Sequence, residues 1–393
     1  MLTRRQVLRA APLLLARPPR SGAAEYDLVI RGGRVLDAAQ RIDRVADVAI
    51  RGGRIAAIQP NLAASAAAET IEAAGKLVTP GLIDIHTHLA DKQMTPATCL
   101  GDGVTSLVDG GSRGAENIEE LVTIAQSARN RVRILINIAH RGIAEQGGPG
   151  ELMDLANADA AAARQAIERH REWIVGIKAR LSRSVAGAND VEALRRARQA
   201  ADPLQVPIMI HMGNTVSPLA DILALLRAGD IVTHMYAPAP HGILDDKGQV
   251  LPQVREARRR GVWFDIGNGR TEHIAWDVAE RALQQDFPPD TISSDMTLAG
   301  RSDQLFNFPN VLSKFLALGM PVDQVIARAT ANAARAIPEF KDYGTLRTGA
   351  AADVTVLDLR EGDFEFVDNY KTTRKGRRKL FPYAVVVGGK RAA

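Results

Sequence analysis

Gly81-Leu82-Ile83-Asp84-Ile85-His86-Thr87-His88 combines a glycine break, a short apolar run and a closing His-x-His motif. An apolar run of this length is typical of a buried strand, and paired imidazoles are common metal ligands. The motif is equally compatible with two histidines that only cap a strand end. We therefore predict a strand that ends at a metal site, provided that the rest of the chain supplies further ligands.

Seven more apolar runs follow and alternate with segments of helical apolar spacing. The predicted strands are 82–85, 104–108, 132–138, 173–177, 207–210, 231–233, 262–266 and 291–293. The predicted helices are 115–130, 160–171, 191–201, 218–228, 272–285 and 321–337. This order predicts an α/β fold in which eight parallel strands close into a (β/α)8 TIM barrel. Catalytic residues of such barrels follow the carboxyl ends of the strands.

Side chains that can bind a metal stand at five of these strand ends. They are His86 and His88 after the first strand, Lys178 after the fourth, His211 after the fifth, His234 after the sixth and Asp295 after the eighth. Taken singly, a lysine is usually solvated, a histidine is often a core residue, and an aspartate often caps a helix. Their common placement on one face of the barrel predicts a metal centre.

The two chain ends contain short strand-like runs that resemble each other. The pairs Gly32-Gly33 and Gly52-Gly53 both follow Ile-Arg, and Gly388-Gly389 follows an apolar run. Paired glycines suit primed hairpin turns. We expect residues 25–80 and 338–393 to form one small β-sandwich domain around a barrel of residues 81–337.

The first 24 residues have the composition of an export signal. Five arginines, including Arg4-Arg5, precede or flank a short apolar run, no acidic residue is present, and small residues follow. This pattern resembles a twin-arginine signal, and the run is too short to span a bilayer. The interpretation predicts a periplasmic or secreted protein with no anchor after cleavage. The lone Cys99 forms no internal disulfide, which fits export after folding, and we expect it to pack in a helix.

The charge balance excludes a nucleic-acid footprint. The chain has 50 basic and 45 acidic residues, and without its first 24 residues the two counts are equal. A neutral protein lacks the basic surface that nucleic acid requires. The basic cluster 371–379 is local, and we interpret it as a solvated connection between strands.

Several stretches match a known superfamily. They are GVTSLVDGG at 103–111, FDIGNG at 264–269, PDTISSD at 289–295, SKFLALGM at 313–320 and GTLRTGAAADVTVLD at 344–358. The chain resembles the amidohydrolase superfamily over essentially its whole mature length. It is similar in particular to the amidohydrolase/deacetylase branch, which acts on acylated small carboxylic acids. The resemblance also implies a homo-oligomer.

The resemblance implies two divalent metal ions, for which four imidazoles and two oxygen donors suit Zn²⁺. Lys178 would react with carbon dioxide, and its carbamate would bridge both ions. His86, His88 and Asp295 would hold a buried ion, and His211 and His234 would hold a more exposed ion.

The reaction implied by the resemblance is hydrolysis of an acyl group. A hydroxide that bridges the metals would attack the carbonyl carbon, and Asp295 would act as general base and then general acid. The substrate would be an N-acyl amino acid or an O-acyl hydroxy acid.

Five residues near strand ends are candidates for binding that substrate. They are Arg113, Arg180, Tyr236, His140 and His241. Arginine would pair with a carboxylate and the other side chains would hydrogen-bond. The chain departs from the branch pattern at Asn268, where related sequences tend to carry histidine, and in the proline-rich loop 235–241, and both changes affect the expected substrate.

Three alternatives remain open. A cyclic amide hydrolase of the dihydroorotase type shares the bridging lysine and both domains. A mononuclear deaminase fits less well, because Lys178 stands where a bridge is needed and no glutamate lies near the fifth strand end. A non-catalytic scaffold would keep the barrel but typically loses metal ligands.

Overall fold

The computed structural model describes residues 24–90, 95–144, 148–238, 240–302 and 307–393. Apart from Ala24, the predicted export signal lies outside these ranges. Among the helices that the structure describes, none is both long and apolar enough to cross a bilayer.

The strands fall into two sheets. In chain order they are β1 (Tyr26–Asp37), β2 (Ile42–Arg51), β3 (Arg54–Gln59), β4 (Ala67–Glu72), β5 (Leu77–Pro80), β6 (Leu82–Thr87), β7 (Val104–Gly110), β8 (Arg131–Asn137), β9 (Ile174–Arg180), β10 (Ile208–His211), β11 (Ile231–Thr233), β12 (Trp263–Phe264), β13 (Val354–Val367), β14 (Thr373–Val387) and β15 (Lys390–Arg391).

The helices lie mainly between the barrel strands. They are α1 (Pro96–Gly101), α2 (Glu119–Ser127), α3 (Ala160–Arg169), α4 (Arg183–Ala186), α5 (Asp190–Ala201), α6 (Leu219–Ala224), α7 (Pro252–Arg259), α8 (Trp276–Gln284), α9 (Leu298–Ser302), α10 (Phe308–Ala317), α11 (Val322–Arg328) and α12 (Ala331–Ala336). The single helix predicted at 321–337 is wrong, because Thr330, with φ −138° and ψ −93°, interrupts it between α11 and α12. Cys99 is buried in α1, as predicted.

Seven parallel strands form the barrel wall in the order β6-β7-β8-β9-β10-β11-β12. The wall closes through two isolated parallel bridges, from Asp265 to Thr291 and from Thr87 to Met296. The predicted (β/α)8 barrel is confirmed, although its eighth strand is reduced to these bridges. Asp295, between them, has a φ of +51°, which an extended strand does not accommodate.

The interior of the barrel is an apolar core. Ile83, Val108, Leu135 and Met209 from the wall are fully buried and belong to one cluster with Phe340, which follows α12. Strands buried on both faces are near-continuous apolar runs, which is why the sequence pattern locates them.

Eight strands from both chain ends form the second sheet. Its order is β15-β14-β13-β5-β1-β2-β3, and β4 pairs with β1. The prediction that the two ends combine is confirmed. The basic cluster 371–379 lies mostly in β14, so its interpretation as a connection is wrong, and the β13–β14 connection consists of residues 368–372.

Only one of the two Ile-Arg-Gly-Gly phrases is a hairpin turn. Gly52 and Gly53 both have positive φ and join β2 to β3, as a primed turn requires. Gly32-Gly33 lies inside β1, where the pairing with β2 shifts register, so the predicted turn is wrong. A Cβ atom on Gly33 would lie 2.4 Å from Val78 Cγ2, so close packing requires glycine there.

Candidate metal centre

His86 lies in β6, and a hydrogen-bond chain through Thr233 to Asp265 orients its ring. Its Nδ1 is 3.1 Å from Oγ1 of Thr233, and that hydroxyl donates to Oδ2 of Asp265 at 2.7 Å. Because the Thr233 proton goes to Asp265, Nδ1 of His86 donates in the first bond. Nε2 therefore keeps its lone pair, and it lies 3.3 Å from Oδ1 of Asp295 and 2.8 Å from Nζ of Lys178.

His88, just after β6, is oriented in the same way by different residues. Its Nδ1 lies 2.9 Å from Oγ of Ser112, and Ser112 donates to Oδ2 of Asp109 at 2.8 Å. Nε2 of His88 lies 3.0 Å from Oδ1 of Asp295. Both histidines of the His-x-His motif thus present Nε2 to the same carboxylate oxygen.

His234 directly follows β11 and has a φ of +66°, which is unusual for a residue with a side chain. Its Nδ1 donates to the carbonyl of Gly267 at 2.6 Å. In the described part of the chain, the buried Nε2 of His234 has no hydrogen-bond partner. Buried polar atoms are rarely left without partners, so this atom is suited to bind a ligand.

The fourth predicted imidazole, His211, ends β10. Its ring centroid lies 4.2 Å from that of His234. Burial is the main cause that lowers the pKa values of His86, His211 and His234 well below the usual range. Neutral imidazoles have a lone pair for a metal, so the protonation state fits metal binding.

Lys178 lies in β9 with its amine at the centre of the cluster. The side chain is 1 % exposed, and Nζ is 2.8 Å from Nε2 of His86 and 3.4 Å from Sδ of Met209. Burial lowers the pKa of Lys178 to about 7, although the charge of Asp295 opposes this. A neutral amine is the form that reacts with carbon dioxide, so the environment fits a carbamate.

Asp295 is held beside the imidazoles by its backbone. Its N–H donates to the carbonyl of His86 at 2.7 Å, and the neighbouring Ser294 N–H donates to Asp84 at 3.0 Å. Burial raises the pKa of Asp295, but the interactions with His86, His273 and His88 outweigh this, and the pKa lies well below its usual range. The carboxylate is therefore ionised and can bind a cation or accept a proton.

A fifth histidine in the cluster, His273, was missed by the sequence analysis. It lies in the strand-7 loop (residues 265–275), between β12 and α8. Its ring stacks on that of His234 with 3.7 Å between centroids, and its Nδ1 is 3.2 Å from Oδ2 of Asp295. The predicted ligands lie close to strand ends, whereas His273 stands nine residues past Phe264, the last residue of β12.

Among the described residues, two sets of three side chains have possible ligand atoms that all lie within 4.8 Å of one another in each set. They are His211, His234 and His273 in one group, and His86, His234 and Asp295 in the other. Imidazole nitrogens and a carboxylate oxygen are donors that zinc and related divalent cations accept. The donor set therefore fits the predicted metals.

A pocket of about 550 Å³ opens onto the cluster. Its lining includes five of the six predicted metal-site residues, namely His86, His88, Lys178, His211 and Asp295. Such a volume suits a small organic substrate.

Three arginines line the same pocket: Arg113, Arg180 and Arg270. Nε of Arg113 donates to Glu120 at 2.7 Å, and NH1 of Arg180 donates to Glu151 at 3.1 Å. The two predicted arginines are thus at the pocket and are oriented by carboxylates, while Arg270 in the strand-7 loop was not predicted.

The structure places Tyr236 and His241 away from the pocket lining. Tyr236 is fully buried, and its hydroxyl donates to the carbonyl of Phe287 at 3.2 Å. Nδ1 of His241 donates to the carbonyl of Thr215 at 3.0 Å. Both side chains have structural partners in the loops around the barrel.

His140 also lies outside the lining of this pocket. Its Nδ1 is 3.0 Å from Oε2 of Glu116, in the segment before α2. Its Nε2 is 3.3 Å from Oδ1 of Asn157. These contacts fix the loop after β8, but they do not bring the ring to the metal-site cluster.

Known proteins resemble this chain over almost its full length. The sequence matches the profile of the amidohydrolase family over residues 77–392. A deacetylase from Enterococcus faecalis is 32% identical over 93% of this chain and 98% of its own length. A solved structure named as an adenine deaminase is 31% identical, with a TM-score of 0.84 and coverage of 93% and 99%. Another, named as a dihydroorotase, is 27% identical, with a TM-score of 0.83 and coverage of 93% and 98%.

Proposed function

This chain belongs to the amidohydrolase family and is a metal-dependent amidohydrolase, and from that premise we propose that it removes the acyl group from an N-acyl amino acid or an O-acyl hydroxy acid. The observation that carries the proposal is the convergence of Nε2 of His86, Nε2 of His88 and Nζ of Lys178 beside an ionised Asp295. The relative named as a deacetylase supports acyl hydrolysis as the reaction.

The residues divide the site into two metal positions with a shared bridge. We assign His86, His88 and Asp295 to one divalent cation, most simply Zn²⁺, and His211 and His234 to a second. A carbamate on Lys178 would bridge the two, because it offers two anionic oxygens where a neutral amine offers one nitrogen. The bound cations would supply an activated water and polarise the scissile carbonyl.

The protein itself contributes proton transfer and orientation. Asp295, ionised and beside the ligand nitrogens, accepts the proton of the attacking water and returns it to the leaving nitrogen or oxygen. The hydrogen bonds from His86 to Thr233 and from His88 to Ser112 hold both rings in place during this transfer.

The pocket wall supports an anionic substrate. Arg113, in the loop after β7, and Arg180, the last residue of β9, line the pocket, and guanidinium groups bind carboxylates in a planar, directional way. Ala90, Ile143 and Ala144 add an apolar surface to the lining. An acylated acid has both features, a carboxylate and an apolar group.

A second candidate is hydrolysis of a cyclic amide, which the similarity to the structure named as a dihydroorotase favours. Both reactions use the same metals and the same Asp295, so the substrate alone distinguishes them. A non-catalytic scaffold is less well supported, because the cluster keeps all six predicted metal-site residues together.

Two proposals on cellular context follow from the sequence. We propose export through the twin-arginine pathway and assembly into a homo-oligomer. The N-terminal sequence of the protein from the periplasmic fraction would test the first, and sedimentation of the purified protein would test the second.

The first experiment is metal analysis of protein expressed with Zn²⁺ and bicarbonate. We expect about two ions per chain, and a ¹³C carbamate resonance after exposure to labelled bicarbonate. Lys178→Met should lose this resonance, whereas Lys314→Met should keep it. Lys314 is the matched control, because it is also a buried lysine but donates to Asn268 instead of facing the ligands.

A substrate screen then separates the two reactions. N-acetyl amino acids and O-acetyl hydroxy acids are compared with dihydroorotate and hydantoins, at equal concentration of the zinc-loaded protein. Turnover of the acyl compounds supports the proposal, and turnover of the cyclic amides alone replaces it with the second candidate. A wild-type protein that binds no metal would contradict both.

A further inference from the structure

The strand-7 loop (residues 265–275) is fixed to the second sheet where it presents His273. The backbone N–H groups of His273 and Ile274 both donate to Oδ1 of Asn369, at 3.1 and 2.8 Å. Nδ2 of Asn369 donates back to the carbonyl of Gly269 at 3.2 Å. Asn369 belongs to the β13–β14 connection, so the C-terminal part of the chain sets the position of this loop at the barrel.

The side chain of His273 faces the metal-site residues. Its ring stacks on His234, its centroid is 5.0 Å from that of His211, and its Nδ1 lies 3.2 Å from Oδ2 of Asp295. Although close to this oxygen, Nδ1 is buried and lacks an aligned hydrogen bond within the described residues. A nitrogen with this environment is positioned to bind a ligand.

The side chain of Asn268, in the same loop, bonds to residues outside the cluster. Asn268 is buried, its Oδ1 accepts from Nζ of Lys314 at 2.8 Å, and its Nδ2 donates to Gly269. The hydrogen bonds of Asn268 are therefore directed into the protein. Of the loop residues that line the pocket, His273 is the one with a ligand nitrogen near those of His211 and His234.

We propose that His273 is a third imidazole ligand of the cation that His211 and His234 hold. This inference rests on the proposed function, because it requires a metal-dependent enzyme. One ligand atom from each of these three histidines lies within 4.8 Å of the other two. Nitrogens around one zinc ion are roughly 3.4 Å apart, given Zn–N distances of about 2.1 Å, so binding of one ion by all three requires the His273 ring to turn out of its stack on His234.

The consequence is that the second metal position has three imidazole ligands instead of two. His211 and His234 alone leave this cation dependent on the Lys178 bridge for its remaining protein ligand. A third imidazole strengthens binding at this position and leaves fewer coordination sites for substrate or water. The loop, and through Asn369 the second sheet, then takes part in metal retention.

The test measures zinc affinity in variants of the full chain. Stepwise Kd values for Zn²⁺ are determined on metal-free protein with bicarbonate, by competition with a chromophoric chelator. His273→Phe keeps a ring that can stack on His234 but removes both nitrogens, and His273→Gln is a second variant if the first does not fold. His241→Gln is the matched control, since His241 is a loop histidine of the same barrel that bonds Thr215 instead.

We expect one of the two binding steps to weaken at least ~100-fold in both His273 variants, because losing even a residue that supports a ligand costs 10–100-fold. The control should keep both wild-type Kd values. Unchanged Kd values in the His273 variants would overturn the proposal, and a raised KM with unchanged zinc binding would assign His273 to the substrate instead. Failure of wild-type protein to bind zinc would be a failure of the proposed function and is distinguishable from both.

Discussion

Replacing Thr233 with valine tests whether the hydrogen bond to His86 sets the affinity for metal. Thr233→Val keeps the branched shape but removes the hydroxyl that accepts from His86 at 3.1 Å and donates to Asp265 at 2.7 Å. Asp265 keeps two donors, the hydroxyls of Thr291 and Ser293. The expected loss of metal affinity therefore comes from His86, whose Nδ1 no longer has an acceptor for its hydrogen bond.

The magnitude follows from these two bonds. A neutral hydrogen bond contributes about 1 kcal/mol and a bond to a charged group about 1.5–3 kcal/mol, so metal-free Thr233→Val should lose about 3 kcal/mol of unfolding free energy. Removing a partner that orients a metal ligand costs 10–100-fold in metal affinity, or about 1.4–2.8 kcal/mol. Zinc should therefore bind the variant at least ~10-fold more weakly than wild type.

Thr291→Val provides the matched control. Thr291 is also fully buried, and its hydroxyl donates to Asp265 at 2.7 Å without contacting a predicted metal ligand. Urea unfolding of the metal-free proteins should show a loss of stability in both variants, whereas competition with a chromophoric chelator should show weaker zinc binding in Thr233→Val only. Equal zinc affinity in the two variants would refute the reasoning that Thr233 orients His86.

Three further outcomes are expected. Burial lowers the pKa of Lys178 to about 7, so the amine loses its proton as pH rises through 7. Carbamate formation in metal-free protein, at fixed dissolved carbon dioxide, should therefore be roughly tenfold faster at pH 8 than at pH 6. A rate that does not change over this range would contradict the assignment of Lys178 as the residue that reacts with carbon dioxide. Arg180→Met should raise KM for an acylated acid about tenfold or more with a smaller effect on kcat, and an equal KM for a substrate without a carboxylate is the control. Cys99 is 3 % exposed and burial raises the pKa of its thiol, so iodoacetamide should label it at least ~100-fold more slowly in the native protein than in urea, and comparable rates would disprove the buried position.

The barrel, and the placement of the six candidate residues at its strand ends, were accessible from sequence because each depends on a local pattern. An apolar run marks each buried strand, and His88, His234 and Asp295 follow such runs within a few residues. The carboxyl ends of parallel barrel strands lie on one face, so the pattern also indicates that these residues meet.

The directions of loop residues could not be predicted from apolar runs in the same way. Tyr236 follows His234 by two residues, yet it is buried and bonds Phe287 instead of reaching the pocket. His273 stands in the middle of a loop, and its position depends on Asn369, 96 residues further along the chain. Loop conformations follow from tertiary contacts, so the sequence around a loop residue does not fix its direction.

The sequence by itself determined a parallel barrel with imidazoles, a lysine and an aspartate at its strand ends. It did so because buried strands and helices alternate along the chain, and each has a characteristic spacing of apolar residues. The tertiary structure decided which ring nitrogens are available and which loop residues join them. Nδ1 of His86 donates because its partner Thr233, from another strand, is itself bonded to Asp265, and this leaves the lone pair on Nε2. His273 lies beside the other histidines because Asn369, in the β13–β14 connection, holds its loop. Hydrogen bonds between residues far apart in the chain have no local signature, which is why only the folded structure shows them.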